Sequence, residues 1–369
     1  MGKVALDYLH HQESIANPKS AIGNYLITLS AILSQGVAEV VQPMPHQKKW
    51  QTSLRSTSKL RHVFRLFAYF RKHWTHRNMI HSEMPNLSVV FHSPFQFLSV
   101  ISFWKVPTAV IYDAPTEDLL SEFYLDHWIL RKICRLYDAI ILRRVTTIVV
   151  YGKSMQRYAR ALVTDRHKVQ FVIHQNVDFA RIPSQRPVSK PSSEALTMIF
   201  VGSFLPWHGV PSFLKSINEL KTTKPVTIHM CGDGPDLERA KKIASELDQR
   251  FNVEFHGFVD PQKLQELLAV SDVGLMPNSN WFGAPAKMFE YLASDCFVYA
   301  PRTPTIEDVF QSASGVYLFD DGRAATSMNE FIEFVEQSIK NECSPAEWFF
   351  NRYSKARTQK VYLDMMTSP

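Results

Sequence analysis

The sequence predicts an α/β chain built from two successive domains, each with a doubly wound parallel sheet. Two observations carry that reading. Short β-branched or apolar runs alternate with helical patterns along nearly all of the 369 residues, which is the signature of parallel strands joined by crossover helices. The alternation breaks once, at RIPSQRPVSKPSSEA (181–195), where three prolines, four serines and no apolar period read as a linker. In the first half the strand candidates are KVALDYL (3–9), VAEVV (37–41), LSVVFH (87–92), TAVIY (108–112), TTIVVYG (146–152) and VQFVI (169–173). After the break they are LTMIFVG (196–202), VTIHMCG (226–232), VEFHG (253–257), DVGLMP (272–277), CFVYA (296–300) and GVYLF (315–319). The C-terminal stretch SPAEWFFNRYSKARTQKVYLDMM reads as one long helix. The expected organisation is a first domain over 1–185, a second over 186–345, and a helix over 346–369 that packs back toward the first domain.

Bulk properties narrow the class. Apolar residues make up 45% and charged residues 21%, an ordinary globular balance. Cys134, Cys231, Cys296 and Cys343 are far apart and form no C-x-x-C pair, which argues against a disulfide framework or a thiolate zinc site and for a reducing compartment. No apolar run reaches the length of about 18 residues that a membrane span needs, and MGKVALDYL passes directly into a strand pattern. The expected location is the cytoplasm. The net charge of +6 is concentrated: from Lys48 to Arg77 there are nine Lys or Arg and no acid. Leu60, Val63, Phe64, Phe67, Phe70 and Trp74 recur there at helical spacing, with Arg55, Lys59, Arg61, Arg65, Arg71 and Lys72 mostly on other sides. Such a helix over 54–74 either packs on its own sheet with a solvated basic side or lies on an anionic membrane surface. No groove-reading or base-stacking module is evident, so nucleic acid is not an expected partner.

The glycines point to a site. Only 13 occur, nine of them in the second half, and Gly202, Gly232, Gly234 and Gly257 directly follow strands. Glycine there permits a tight turn and a close approach of backbone to ligand. GAPAKMFEYLA (283–293) then opens an apolar helix with Pro285 as its first residue. The amides of Ala286, Lys287 and Met288 would meet a diphosphate, Lys287 would add a point charge, and Glu290, one turn deeper, would accept from ribose hydroxyls.

These segments, taken in order, resemble the donor domain of GT-B glycosyltransferases, specifically the retaining glycosyltransferase family 4. The matching stretches are FVGSFLPWHGV, CGDGP, VEFHGFVD with LQELLAVSDVGLMP, and GAPAKMFEYLAS. In the first half GNYLITLSAILSQG (23–36) is similar to the family's glycine-opened first helix, FHSP (91–94) to its strand-end histidine, and VPTAVIYDAP (106–115) to the next strand. The resemblance implies two Rossmann-like domains facing each other across a cleft, and metal-independent transfer of a sugar from a UDP- or GDP-sugar to a glycan or lipid-linked acceptor in bacterial surface polysaccharide or glycolipid assembly. It implies no cofactor beyond that donor, and no D-x-D motif is present. It assigns donor binding to Gly23, Gly202, Ser203, His208, Gly232, Gly234, Phe258, Ala286, Lys287, Met288 and Glu290, and catalysis to His92, Asp113 and Lys287.

Three departures stand out. Ser203 and His208 occupy the places of the family's clamping arginine and lysine, Phe282 that of the first glutamate of its glutamate pair, and Asp113 lies near its catalytic-histidine position. They leave open a non-catalytic nucleotide-binding scaffold, or another GT-B activity such as a nucleotide-sugar epimerase.

Overall fold

The computed structural model describes residues 3–7, 39–41, 87–91, 107–123, 127–171, 195–283, 285–320, 324–354, 356 and 360. The chain divides into two compact units. The first comprises Met1–Tyr151, Met155–Val172 and Gln359–Pro369, and the second Gly152–Ser154 and Ile173–Thr358.

The first unit holds β1 (Lys3–Asp7), β2 (Glu39–Val41), β3 (Leu87–Phe91), β4 (Thr108–Ile111), β5 (Thr147–Val150) and β6 (Val169–Phe171) in the order β2-β1-β3-β4-β5-β6. All its pairings are parallel. Its helices among the described residues are α1 (Thr116–Phe123), α2 (Trp128–Arg144) and α3 (Lys153–Leu162). A strand covered on both faces reads as an unbroken apolar run rather than an alternating one, and β4 and β5 are of this kind, with Ile111, Ile148, Val149 and Val150 at 0% exposure.

The α2 helix is fixed by a buried carboxylate. Asp138 accepts from the Tyr112 hydroxyl at 2.7 Å, the Thr116 amide at 2.9 Å and the Thr116 hydroxyl at 2.6 Å. Three donors offset the cost of burying this charge, and they join the end of β4, the start of α1 and the middle of α2. Inward from it lie Cys134, Ala139, Ile141 and Leu142.

The second unit holds β7 (Leu196–Val201), β8 (Val226–Cys231), β9 (Phe251–Gly257), β10 (Val273–Leu275), β11 (Phe297–Pro301) and β12 (Val316–Phe319). Their order is β12-β11-β10-β7-β8-β9, again all parallel. The chain therefore winds outward in one direction from β7 and, from β10 onward, in the other. Helices cover both faces: α4 (Val210–Ser216), α5 (Leu237–Ala244), α6 (Pro261–Val270), α7 (Ala286–Ala293), α8 (Pro304–Phe310), α9 (Ala324–Lys340) and α10 (Pro345–Arg352). One apolar cluster packs α6, α7, α8 and α10 on the sheet, and the other packs α4, α5 and α9 on the opposite face.

All twelve strands fall within or beside the stretches that the sequence assigns to them. Two helix ends differ. Pro285 is the cap of α7 rather than its first residue, with φ −71° and ψ 116°. The C-terminal pattern does not run as one helix from Pro345, because α10 ends at Arg352 and Tyr353 is extended at φ −118°, ψ 129°. The reason is packing. Tyr353 stacks on Phe349 at 5.2 Å and meets Phe289 of α7 at 5.1 Å, so the aromatic ring turns into the core where a continuing helix would carry it past. Among the described residues no helix is long and apolar enough to cross a membrane.

Candidate active site

Ligands of open parallel sheets bind at the carboxyl ends of the strands, where the strand order reverses. In the second unit that point lies between β7 and β10, and the loops that leave these strands meet there. A side chain at Gly202, just after β7, would come within 2.6 Å of the Lys287 Nζ on α7. The lysine ammonium in turn lies 4.7 Å over the Phe200 ring, a cation–π contact made in a low-dielectric setting. Gly202 is thus what lets a cation settle across the end of its strand.

The neighbouring strand ends form a ledge of backbone. The Gly202 amide donates to the Cys231 carbonyl at 2.9 Å and the Gly232 amide to the Gly257 carbonyl at 2.7 Å. Gly232 has φ 136°, and a Cβ there would fall on the Gly202 carbonyl. Beyond it, the Phe204 amide donates to the Asp233 carbonyl at 2.9 Å, and the Asp236 amide returns to the Phe204 carbonyl at 2.9 Å. A side chain at Gly234 would meet the Phe204 backbone at 2.7 Å. The loops after β7 and β8 are therefore stitched together with no space for side chains between them.

The α7 helix ends this ledge. No side chain caps it. The Met288 amide turns back to the Pro285 carbonyl at 3.1 Å, so the amides of Ala286 and Lys287 are the ones at the open first turn. The helix is anchored by a residue that the motif reading passed over. Tyr291, at 0% exposure, accepts from the Val201 amide at 2.9 Å and donates to the Leu275 carbonyl at 3.3 Å. One hydroxyl thereby ties α7 to the ends of both strands at the reversal. The available signal was the tyrosine at the centre of an apolar helix, since a buried phenol needs a partner.

Several candidate residues come together here and others do not. Lys287 and Glu290 share one side of α7 at i, i+3 spacing, but both are more enclosed than a ligand-facing reading expects. The Lys287 Nζ is buried, and Glu290 is only 1% exposed. His208 sits in a short 3-10 turn, Pro206–His208, and its Nδ1 donates to the Ser203 carbonyl. Desolvation and the nearby Lys287 charge push its imidazole down to about 3, against the opposing Ser203 hydrogen bond. His208 is therefore a neutral ring with its Nε2 lone pair available. Ser203 is exposed. Phe258, following β9, is 54% exposed, and Phe282 is buried edge-on to Trp281 at 5.8 Å.

In the first unit Asp113 follows β4 and is exposed to solvent. Phe91 and Ile111 pair across β3 and β4, so Asp113 and the chain after β3 leave adjacent strand ends. His92 and Gly23, and the basic segment 54–74, lie outside the described residues.

The segments that build this site lie within a stretch of the sequence that has a family match. Residues 182–345 match the family of glycosyl transferases group 1. The group 1 match thus spans the whole sheet of the second unit and all of this site. The chain is 25% identical over 229 residues to TuaH of Bacillus subtilis (strain 168), a protein named as a teichuronic acid biosynthesis glycosyltransferase. The match covers 57% of this chain and 54% of TuaH, so the chain aligns with about half the length of that relative. Among solved structures it is similar to Anabaena Alr3699/HepE in complex with UDP and glucose, with TM-score 0.65, 12% identity and full coverage of both chains. It is likewise similar to WaaG, a glycosyltransferase involved in lipopolysaccharide biosynthesis, with TM-score 0.64, 12% identity and full coverage of both. The fold is GT-B: two α/β units with parallel sheets, the second carrying the group 1 region.

Proposed function

We propose that the protein is a retaining glycosyltransferase that moves a sugar from a UDP- or GDP-sugar to a glycan or lipid-linked acceptor in the assembly of a cell-surface polysaccharide. The observation that carries this is the α7 start. Uncapped amides, a lysine and a buried glutamate occupy one turn beside the Gly202–Gly232 ledge, and a nucleoside diphosphate supplies an anion and ribose hydroxyls at that separation. The group 1 match and the names of TuaH and WaaG support the reaction class and its setting.

In this reading the Ala286 and Lys287 amides hold the departing diphosphate, the Lys287 charge stabilises it through the low-dielectric wall, and Glu290 binds the ribose. The acceptor hydroxyl attacks the anomeric carbon on the face the diphosphate leaves, and a diphosphate oxygen takes its proton. No protein nucleophile and no metal are assigned to the step. His92, Asp113 and Gly23 keep the roles that the family resemblance gives them, and Gly234, Met288, His208 and Phe258 complete the donor contacts of the second unit.

The test is a panel of radiolabelled nucleotide sugars with purified protein. One donor should raise the melting temperature and be hydrolysed slowly without acceptor, and Glu290→Ala should abolish that hydrolysis. Tight nucleotide binding without turnover on any acceptor extract would instead favour a non-catalytic scaffold, the reading that buried Phe282 in the place of a glutamate supports.

Peripheral membrane contact is part of the proposal, through a surface that the sequence reading did not single out. Outside its buried face, α2 presents a second apolar stripe: Trp128 at 63%, Ile129 at 46%, Ile133 at 57%, Leu136 at 61% and Ile140 at 39% exposure. Arg131, Lys132, Arg135, Arg143 and Arg144 accompany it, and the single acid of the helix, Asp138, points inward. An apolar and cationic helix face suits an anionic lipid surface.

A further inference from the structure

Three polar side chains stand on the sheet face that packs α6 and α7. His229 on β8 pairs in register with Glu254 on β9. His256 lies two residues beyond Glu254 and therefore on the same face. The neighbours on that face are the apolar residues of one core cluster, Ile199, Cys231, Leu264 and Leu268 among them. His229 is buried, and Glu254 and His256 are partly exposed.

Their ligating atoms converge. His229 Nδ1 is 3.1 Å from His256 Nε2 and 3.3 Å from Glu254 Oε2, and His256 Nε2 is 3.6 Å from the same oxygen. A shared proton on the His229 Nδ1 can bridge it to one or both neighbours. A cation held by the three lone pairs would join all three atoms at once. The size fits as well: ligand atoms on a tetrahedral zinc at about 2.0–2.2 Å lie roughly 3.3–3.6 Å from one another.

We propose that His229, Glu254 and His256 bind a divalent transition-metal ion, zinc or a cation of similar preference, with its remaining position open to water. Two imidazoles and one carboxylate suit zinc better than magnesium or calcium, which prefer all-oxygen sets. The ion clamps β9, the edge strand of the sheet, to β8, and it steadies the Gly257–Phe258 loop that follows. It takes no part in the sugar transfer and does not depend on that assignment.

The full-length protein, stripped with EDTA and dialysed against zinc, is expected to retain one equivalent and to melt at a higher temperature as zinc rises. Cobalt in its place should give the visible absorption of a four-coordinate nitrogen and oxygen site. His256→Gln and Glu254→Gln change partly exposed side chains and should leave the fold intact. Each should weaken zinc binding by more than about 100-fold, since even outer-sphere changes cost 10–100-fold. No retained zinc in the parent protein, or undiminished zinc in both folded variants, would overturn the site and leave a hydrogen-bonded trio. Either result leaves the nucleotide-sugar assay unaffected as a test of the transfer reaction.

Discussion

Gly232 shows how narrow the tolerance of the site is. Its φ of 136° is strained for any other residue, and a methyl group there would collide with the Gly202 carbonyl, which is backbone and cannot swing aside. Gly232→Ala is expected to cost about 3 kcal/mol or more, which lowers the melting temperature by roughly 6–12 °C for a domain of this size. Nucleotide-dependent stabilisation should fall with it, and differential scanning calorimetry with and without UDP reads both. His208 gives a pH prediction. Its imidazole titrates near 6.5 in the unfolded chain and at about 3 in the folded one. Between these values the unfolded chain binds the extra proton, so this residue makes stability decline as pH falls through that window. The acid limb of the melting curve should be shallower in His208→Gln, and an identical slope in both proteins would show that the ring is not held neutral. Glycines directly after strands were legible in the sequence because turn chemistry is local. The depth at which Lys287 and Glu290 lie was not, because burial depends on what other elements bring over them.

At the scale of elements, α7 and α2 make contrasting cases. The alternation and the proline announced α7, but its attachment rests on the Tyr291 hydroxyl between Val201 and Leu275. Tyr291→Phe leaves the buried Val201 amide without this acceptor, at a cost of about 1–3 kcal/mol. We expect a lowered melting temperature together with weaker UDP binding by calorimetry, because the helix start proposed to meet the phosphates is no longer pinned to the sheet. In α2 the apolar residues exceed what one buried face can use, and a helix apolar on more than one side belongs in a larger core or at a lipid surface. Ile133→Glu and Leu136→Glu fall on exposed positions and should spare the fold. Each should reduce binding to anionic vesicles in a flotation assay by about tenfold or more, given roughly 1.5–3 kcal/mol for burying such a side chain. Unchanged flotation in the double variant would rule out α2 as the docking surface. The sequence reading assigned nothing to this helix, and it is the inward turn of Asp138 that decides which of its apolar positions face out.

For the whole molecule, the sequence by itself determined the two parallel α/β units, the strands in order, and the group 1 motifs that end on the second sheet. It could do so because strand and helix periods, turn glycines and helix starts are properties of a few adjacent residues. Only the tertiary structure decided the strand order with its reversal between β7 and β10, the break after α10, the outward face of α2, and the meeting of His229 with Glu254 and His256. Each of these depends on residues far apart in the chain packing against one another. A local pattern can say that a side chain is apolar or ionisable, but the energy that sets its role comes from the neighbours that folding supplies.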